Sequence, residues 1–289
     1  MSSTIMKNGK KNIFLVFLFV LLITSIGIQS CSYKPDNFIT IRIKGSDTML
    51  YLTKNLAEEY MRSFPGISVY VEGGGTASGI RSLINDEINI LTASRTLKAD
   101  EVKILAEQYG AIGISFNIAR DALSIYINPE NPVKDFTLEQ LEDIFTCRIN
   151  NWYAIGGDDS AVIPVIRSPN SGTYLYFKEH VLNNMEYCSN AIVKATTEGI
   201  IDEISKNKYA AGYGGIGYGG GTVHAKVNGI EPSEENVRND SYPISRYLYF
   251  YTLNTPEDHI RDFINWVMGP EGQRIVKQSG YISLFEITF

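Results

Sequence analysis

Three times along this chain an apolar run of strand length enters a loop of glycine and hydroxyl residues and leaves it with helical spacing. The loops are Gly45 to Thr48, Gly73 to Gly79 and Arg167 to Thr173. This repetition constrains the fold more than any other feature, because strand–loop–helix units build open sheets whose ligands sit beyond the carboxyl ends of the strands. A helix start leaves its first N–H groups unpaired and carries partial positive charge, so it is a natural seat for an oxyanion. In the third loop, Arg167-Ser168-Pro169-Asn170-Ser171-Gly172-Thr173, glycine permits close backbone approach and arginine adds a forked, fixed charge. Taken alone, that loop also reads as a helix capped by Ser171 beside a surface arginine. Taken together, Thr48, Thr76, Ser171 and Thr173 would surround one tetrahedral oxyanion with neutral donors, and Arg167 would supply the charge. A helix dipole contributes ~0.3–2 kcal/mol and a charge-assisted bond ~1.5–3 kcal/mol, so several converging on one ion reach the roughly −8 kcal/mol of micromolar binding.

The rest of the chain follows the same βαβα logic, which predicts an α/β fold of two lobes, each with a mostly parallel sheet flanked by helices, joined by crossing hinge strands. Ile39 to Lys44 alternates as a strand. Leu52, Leu56, Tyr60 and Phe64 then mark a helix that Pro65-Gly66 stops. Ile67 to Val71, Ile88 to Ala93 and Ala111 to Phe116 read as strands, with a helix at Asp100 to Tyr109 closed by Gly110. Ala122 to Asn128 is a separate strand entering the second lobe, and Tyr242 to Leu253 is the return crossing. Thr137 and Gln140 form a capping box, Thr255-Pro256 starts a helix, and Gly269-Pro270 divides it from the last one. Gly217-Tyr218 reads either as backbone close to a ligand or as part of a tight strand–turn–strand. The expected divisions are 1–30 signal peptide, 31–37 tether, 38–118 plus 246–289 lobe 1, and 119–245 lobe 2.

Lys7, Lys10 and Lys11 precede the apolar run Ile13 to Ile23, and small residues follow it, as in a secretory signal. Cys31 directly after Ser30 fits a bacterial lipoprotein signal, with Cys31 lipidated as the mature N-terminus. An uncleaved anchor is the other reading, although the run is short of the roughly 20 residues a span needs. Residues 32–37 then tether the body within about 25 Å of the membrane. Without residues 1–30 the chain holds 23 basic against 32 acidic residues, a net charge of −9. That balance argues against nucleic acid.

Other chemistries find little support. The middle loop lacks the Gly-Lys-Ser/Thr ending of a P-loop, and Ser78 stands where a dinucleotide fingerprint requires glycine. His180, His224 and His259 are scattered without metal-ligand spacing, and there is no Gly-x-Ser-x-Gly elbow. No catalytic residue, cofactor or metal is called for. Asp47 reads as a helix N-cap or as an acceptor for a protonated oxyanion. Arg95 reads as a second ligand charge or, preferably, as a salt-bridge partner holding the lobes in register. Cys147 and Cys188 either pair, as exported proteins allow, or stay free and buried.

Ile41 to Thr48, Gly73 to Gly79, Ala93-Ser94-Arg95, Arg167 to Thr173 and Phe263 to Gln273 together resemble the phosphate-binding subunit of ABC importers. The motifs keep their order over nearly the whole mature chain. The resemblance implies the type II periplasmic-binding fold and a monomeric, non-enzymatic receptor outside the membrane that delivers phosphate to an ABC permease. Carried over, the phosphate ligands would be Thr48 and the Met49 amide, Thr76, and Arg167, Ser171, Gly172 and Thr173. Ser94 would stand where family members place an aspartate that accepts the ligand's proton. Pro169 replaces an acid two residues past the arginine, which leaves Arg167 without that local partner. The alternatives are another tetrahedral oxyanion (sulfate, molybdate, tungstate), a secreted phosphoester hydrolase, or a scaffold that has lost its ligand.

Overall fold

The computed structural model describes residues 39–287. Strand β1 (Ile39–Gly45) is followed by a 3-10 turn (Asp47–Met49) and helix α1 (Leu50–Ser63), then β2 (Ile67–Glu72), α2 (Thr76–Ile84), β3 (Ile90–Ala93) and α3 (Ala99–Tyr109). The long β4 (Ile114–Ile127) leads to β5 (Asp135–Phe136), α4 (Leu138–Phe145), a 3-10 turn (Trp152–Ile155), β6 (Ile163–Arg167) and α5 (Gly172–His180). After these come β7 (Ile192–Lys194), α6 (Thr197–Lys206), β8 (Ala210–Gly215), β9 (Val223–Val227) and α7 (Glu234–Arg238). The chain ends with β10 (Ser245–Thr252), α8 (Asp258–Met268) and α9 (Pro270–Gln278).

The strands form one curled, mixed sheet in the order β2-β1-β3-β10-β4-β8-β6-β7, with β9 bridging β4 and β5. The outer parts are parallel: β1 lies between β2 and β3 on one side, and β6 between β7 and β8 on the other. The centre is antiparallel, because β10 runs against both β3 and β4, and β4 runs against β8. The parallel flanks match the two expected lobes, and the antiparallel middle is where the expected crossing strands carry the chain across and back. The segments expected as two strands, Ala111 to Phe116 and Ala122 to Asn128, overlap the two ends of the single strand β4 (Ile114–Ile127). Its first half pairs with β10 and its second with β8 and β9. The charges at Arg120 and Asp121 break the apolar pattern without breaking the strand.

Each half of the sheet has its own core. Ile41 and Ile43 turn inward from β1 while Arg42 faces out, the alternation of a half-covered strand. Against them α1 lays Leu52, Leu56 and Tyr60, four residues apart on one face, and α8 lays Phe263, Ile264 and Val267. In the other half Leu123, Ile125 and Ile127 of β4 pack with Phe136, Phe145, Trp152, Phe177 and Tyr213. The capping box expected at Thr137 and Gln140 is present. Phe64 lies just past the end of α1 and is exposed, and α8 begins at Asp258 rather than at Thr255-Pro256 because Glu257 is still extended.

Cys147 and Cys188 form a disulfide with a Cα–Cα distance of 5.3 Å, tying the end of α4 to the segment before β7. Gly217 lies against the ring of Tyr281, where a Cβ would collide, within a turn between β8 and β9. No described helix is long and apolar enough to cross a membrane. The expected signal peptide, the lipidated Cys31 and the tether lie outside the described residues.

Candidate anion site

Strands β1 and β3 run one way and β6 the other, and the loops at their carboxyl ends face each other from the two halves of the sheet; the second glycine-rich loop follows β2. The 3-10 turn after β1 carries Thr48, the start of α2 carries Thr76, the loop after β3 carries Ser94, and the start of α5 carries Ser171, Gly172 and Thr173. All of these are buried. The Thr48 and Thr173 hydroxyls are 2.7 Å apart although 125 positions separate them. Ser94 Oγ lies 3.5 Å from Thr173 Oγ1, and the Ser94 amide donates to Thr76 Oγ1 at 3.4 Å. The three loops thus meet at one small polar cluster.

Two glycines permit that approach. A Cβ on Gly172 would come within 2.6 Å of Ser94 Oγ and closer still to Thr76 Oγ1. Gly75 has φ of +88°, a conformation other residues rarely adopt, and a Cβ there would sit 2.7 Å from the Asn170 carbonyl oxygen. Asn170 also ties the second loop to the third. Its side-chain amide donates to the Gly74 carbonyl at 2.9 Å, and its own carbonyl accepts from the Ala77 amide at 3.2 Å.

Arg167, at the end of β6, is 1% exposed. Its Nη1 donates to Thr197 Oγ1, and its Nη2 to both Asp47 Oδ2 and the Ala195 carbonyl, each at 2.9 Å. Its Nε is buried with no acceptor on the protein, an N–H that is costly to leave unmet. Burial pulls its pKa down, against the opposing pull of Asp47. Asp47 is not the N-cap that one sequence reading expected: Ser46 holds that position and no side-chain cap bond forms. Its second oxygen instead takes the Gly74 amide at 3.0 Å. It also fills the place expected to be empty beside Arg167, from 120 positions away instead of two.

Arg95 is paired, but not across the halves. It grips Glu101 of α3 through both terminal nitrogens at 2.7 and 2.8 Å, within its own side of the sheet. The Met49 amide donates to the Ser46 carbonyl at 3.1 Å within its own turn. Ser171 caps α5 by accepting from the Thr173 and Tyr174 amides at 3.2 and 3.4 Å.

The sequence reading missed two charges in this cluster. Arg246 of β10 sits opposite Asp121 of β4 in the antiparallel register, and its Nε donates to Asp121 Oδ2 at 2.9 Å. Its other nitrogens reach the Ser94 carbonyl and Thr173 Oγ1, both at 3.1 Å. Burial pushes the Asp121 carboxyl up, while Arg246 and the Ile216 amide draw it down. The available signal was Arg246 in β10 and the Arg120-Asp121 pair in β4, charges inside two largely apolar strands. With two buried acids against two buried arginines, the cluster is close to neutral. It offers directed donors and one unmet guanidinium N–H, which suits capture of a small anion. Among the described residues no group of three or more His, Cys, Asp or Glu could hold a metal.

A family model for the PBP superfamily domain matches residues 32–271. A phosphate-binding protein PstS of Pseudomonas aeruginosa is 31% identical over 263 residues, covering 83% of this chain and 81% of that protein. The chain belongs to the PBP superfamily, in the family of the PstS phosphate-binding proteins. Another PstS, from Borreliella burgdorferi, is 28% identical and aligns with 95% of this chain and 99% of its own length. A crystal structure of a Clostridium perfringens phosphate ABC transporter substrate-binding protein with bound phosphate superimposes with a TM-score of 0.79 at 29% identity. It covers 85% of this chain and 100% of that one. These PstS relatives are binding proteins, and the role of the family fold here is binding rather than catalysis.

Proposed function

We propose that this chain is an extracytoplasmic receptor that captures one inorganic phosphate between two lobes and delivers it to an ABC permease. The convergence of Thr48, Thr76, Ser94 and Thr173 from separate loops carries the reading, because only a small tetrahedral ion meets donors from all of them at once. Arg167, at the start of the loop that carries Ser171 and Thr173, adds a charged donor whose buried Nε has no acceptor on the protein. Thr48, Met49, Thr76, Ser94, Arg167, Ser171, Gly172 and Thr173 are the proposed ligands. For Met49 and Ser171 this requires bonds beyond those they make within their own turns. The lobes are 38–118 plus 246–289 and 119–245, turning about β4 and β10, and the receptor acts as a monomer. Closing over the ion would add donors from the far lobe, a ligand-driven shift between two conformations. Lipidation at Cys31 would hold the receptor at the outer membrane face. The Cys147–Cys188 disulfide favours an oxidising compartment outside the cytoplasm.

One observation favours a second reading. Ser94-Arg95 replaces the acid that accepts a ligand proton, and without it sulfate competes on closer terms. Calorimetric titration at neutral pH with phosphate, sulfate and molybdate separates the two. Micromolar or tighter binding of phosphate, with sulfate much weaker, is expected. Tighter binding of sulfate overturns the choice of ion.

A further inference from the structure

Arg246 spends its three nitrogens on three different parts of the molecule. Nε and Nη2 both lie 2.9 Å from Asp121 Oδ2 on the neighbouring strand, Nη1 donates to the Ser94 carbonyl in the loop after β3, and Nη2 also donates to the Thr173 hydroxyl at the start of α5. A pair serving only to join β10 to β4 would be complete with Asp121 alone, which the Ile216 amide already fixes from its other side at 2.9 Å. Beyond that pair, Nη1 and a second contact of Nη2 reach into the hydroxyl cluster. The ring of Tyr176 packs 5.3 Å from the guanidinium carbon, and its hydroxyl donates to the Ser245 carbonyl at 2.7 Å, so the side chain is held in place from the outer side as well.

The bond to Thr173 has a directional consequence. A hydroxyl has one proton and two lone pairs. Arginine can only donate, so the Thr173 oxygen must accept from it, and the Thr173 proton is turned away from Arg246. The groups on that other side are the hydroxyls of Thr48 and Ser94. A charged donor on the oxygen also polarises the O–H and strengthens the bond it gives. Because Asp121 cancels the charge of Arg246, this is achieved without adding a net positive charge to the cleft.

We propose that Arg246, held by Asp121, is a positioning residue that fixes the Thr173 hydroxyl as a donor to the bound anion. This rests on the phosphate reading of the cluster. It acts through Thr173, so its effect disappears when Thr173 has no hydroxyl.

The test is a double-mutant cycle read by calorimetric phosphate titration of the full mature chain. Arg246→Gln is expected to weaken binding about tenfold when Thr173 is present, the low end for one charge-assisted bond. In the Thr173→Val background the same change is expected to cost less than about twofold. Equal factors in both backgrounds, or no loss in Arg246→Gln, would overturn the proposal. Since Arg246→Gln leaves a buried carboxylate alone, the cycle is repeated with the neutral pair Asp121→Asn/Arg246→Gln, and each variant is melted without phosphate. Weaker binding that tracks only a lowered melting temperature, or failure of every Arg246 variant to fold, would assign the pair a structural role and overturn the proposal. Wild-type protein that takes up no phosphate overturns the phosphate reading itself, a result distinct from simple additivity among variants that bind.

Discussion

Removing the Arg167 guanidinium takes a charged donor from the cleft and leaves Asp47 buried without its partner. Arg167→Ala is therefore expected to weaken phosphate binding by roughly 100-fold, the scale of one to two charge-assisted bonds. It should also cost about 3–5 kcal/mol of stability, as for breaking other buried pairs. Calorimetry reads the first and denaturant unfolding the second. Arg167 and the threonines were legible in the sequence because each lies in a loop with glycine at a helix start, and loop chemistry is local. The partners were not legible. That Asp47 meets Arg167, or that Arg246 meets Asp121, depends on which loops and strands the fold brings together across 120 and 125 positions. The Arg95 reading failed for the converse reason: its partner Glu101 is only six residues away, on the first turn of α3.

At the scale of elements, the helices were legible from apolar spacing, with Leu52, Leu56 and Tyr60 on one buried face and Gly110 ending α3 in the left-handed conformation. The central strands were not. A strand buried on both faces and carrying a paired charge at its midpoint looks in sequence like two strands with a break, which is how β4 read. The disulfide joins two segments that have no common periodicity. It closes a loop of 41 residues, for which chain entropy gives about 4 kcal/mol. Reduction, or Cys147→Ser/Cys188→Ser, is expected to lower stability by up to that amount, measured by denaturant unfolding. Phosphate affinity should stay within about twofold, because neither cysteine borders the hydroxyl cluster.

For the whole molecule, the proposed capture depends on two halves of the sheet meeting around the hydroxyl cluster. The close fit of Gly172 against Thr76 and Ser94 makes that meeting testable. Gly172→Ala puts a methyl group where those side chains stand, so it should oppose closure while leaving both cores intact. The expected result is phosphate binding at least about tenfold weaker and a smaller contraction in solution scattering on adding phosphate. The melting temperature without ligand should be little changed. An affinity equal to that of the wild type would show that the halves do not need to meet so closely.

The central claim is that loops distant in the chain hold one ion together. A crystal structure of the protein grown with phosphate tests it most directly. The account predicts a single phosphate bonded at once to Thr48, Thr76, Thr173 and Arg167. A phosphate bound elsewhere, or held by one loop while the others stay apart, would contradict it.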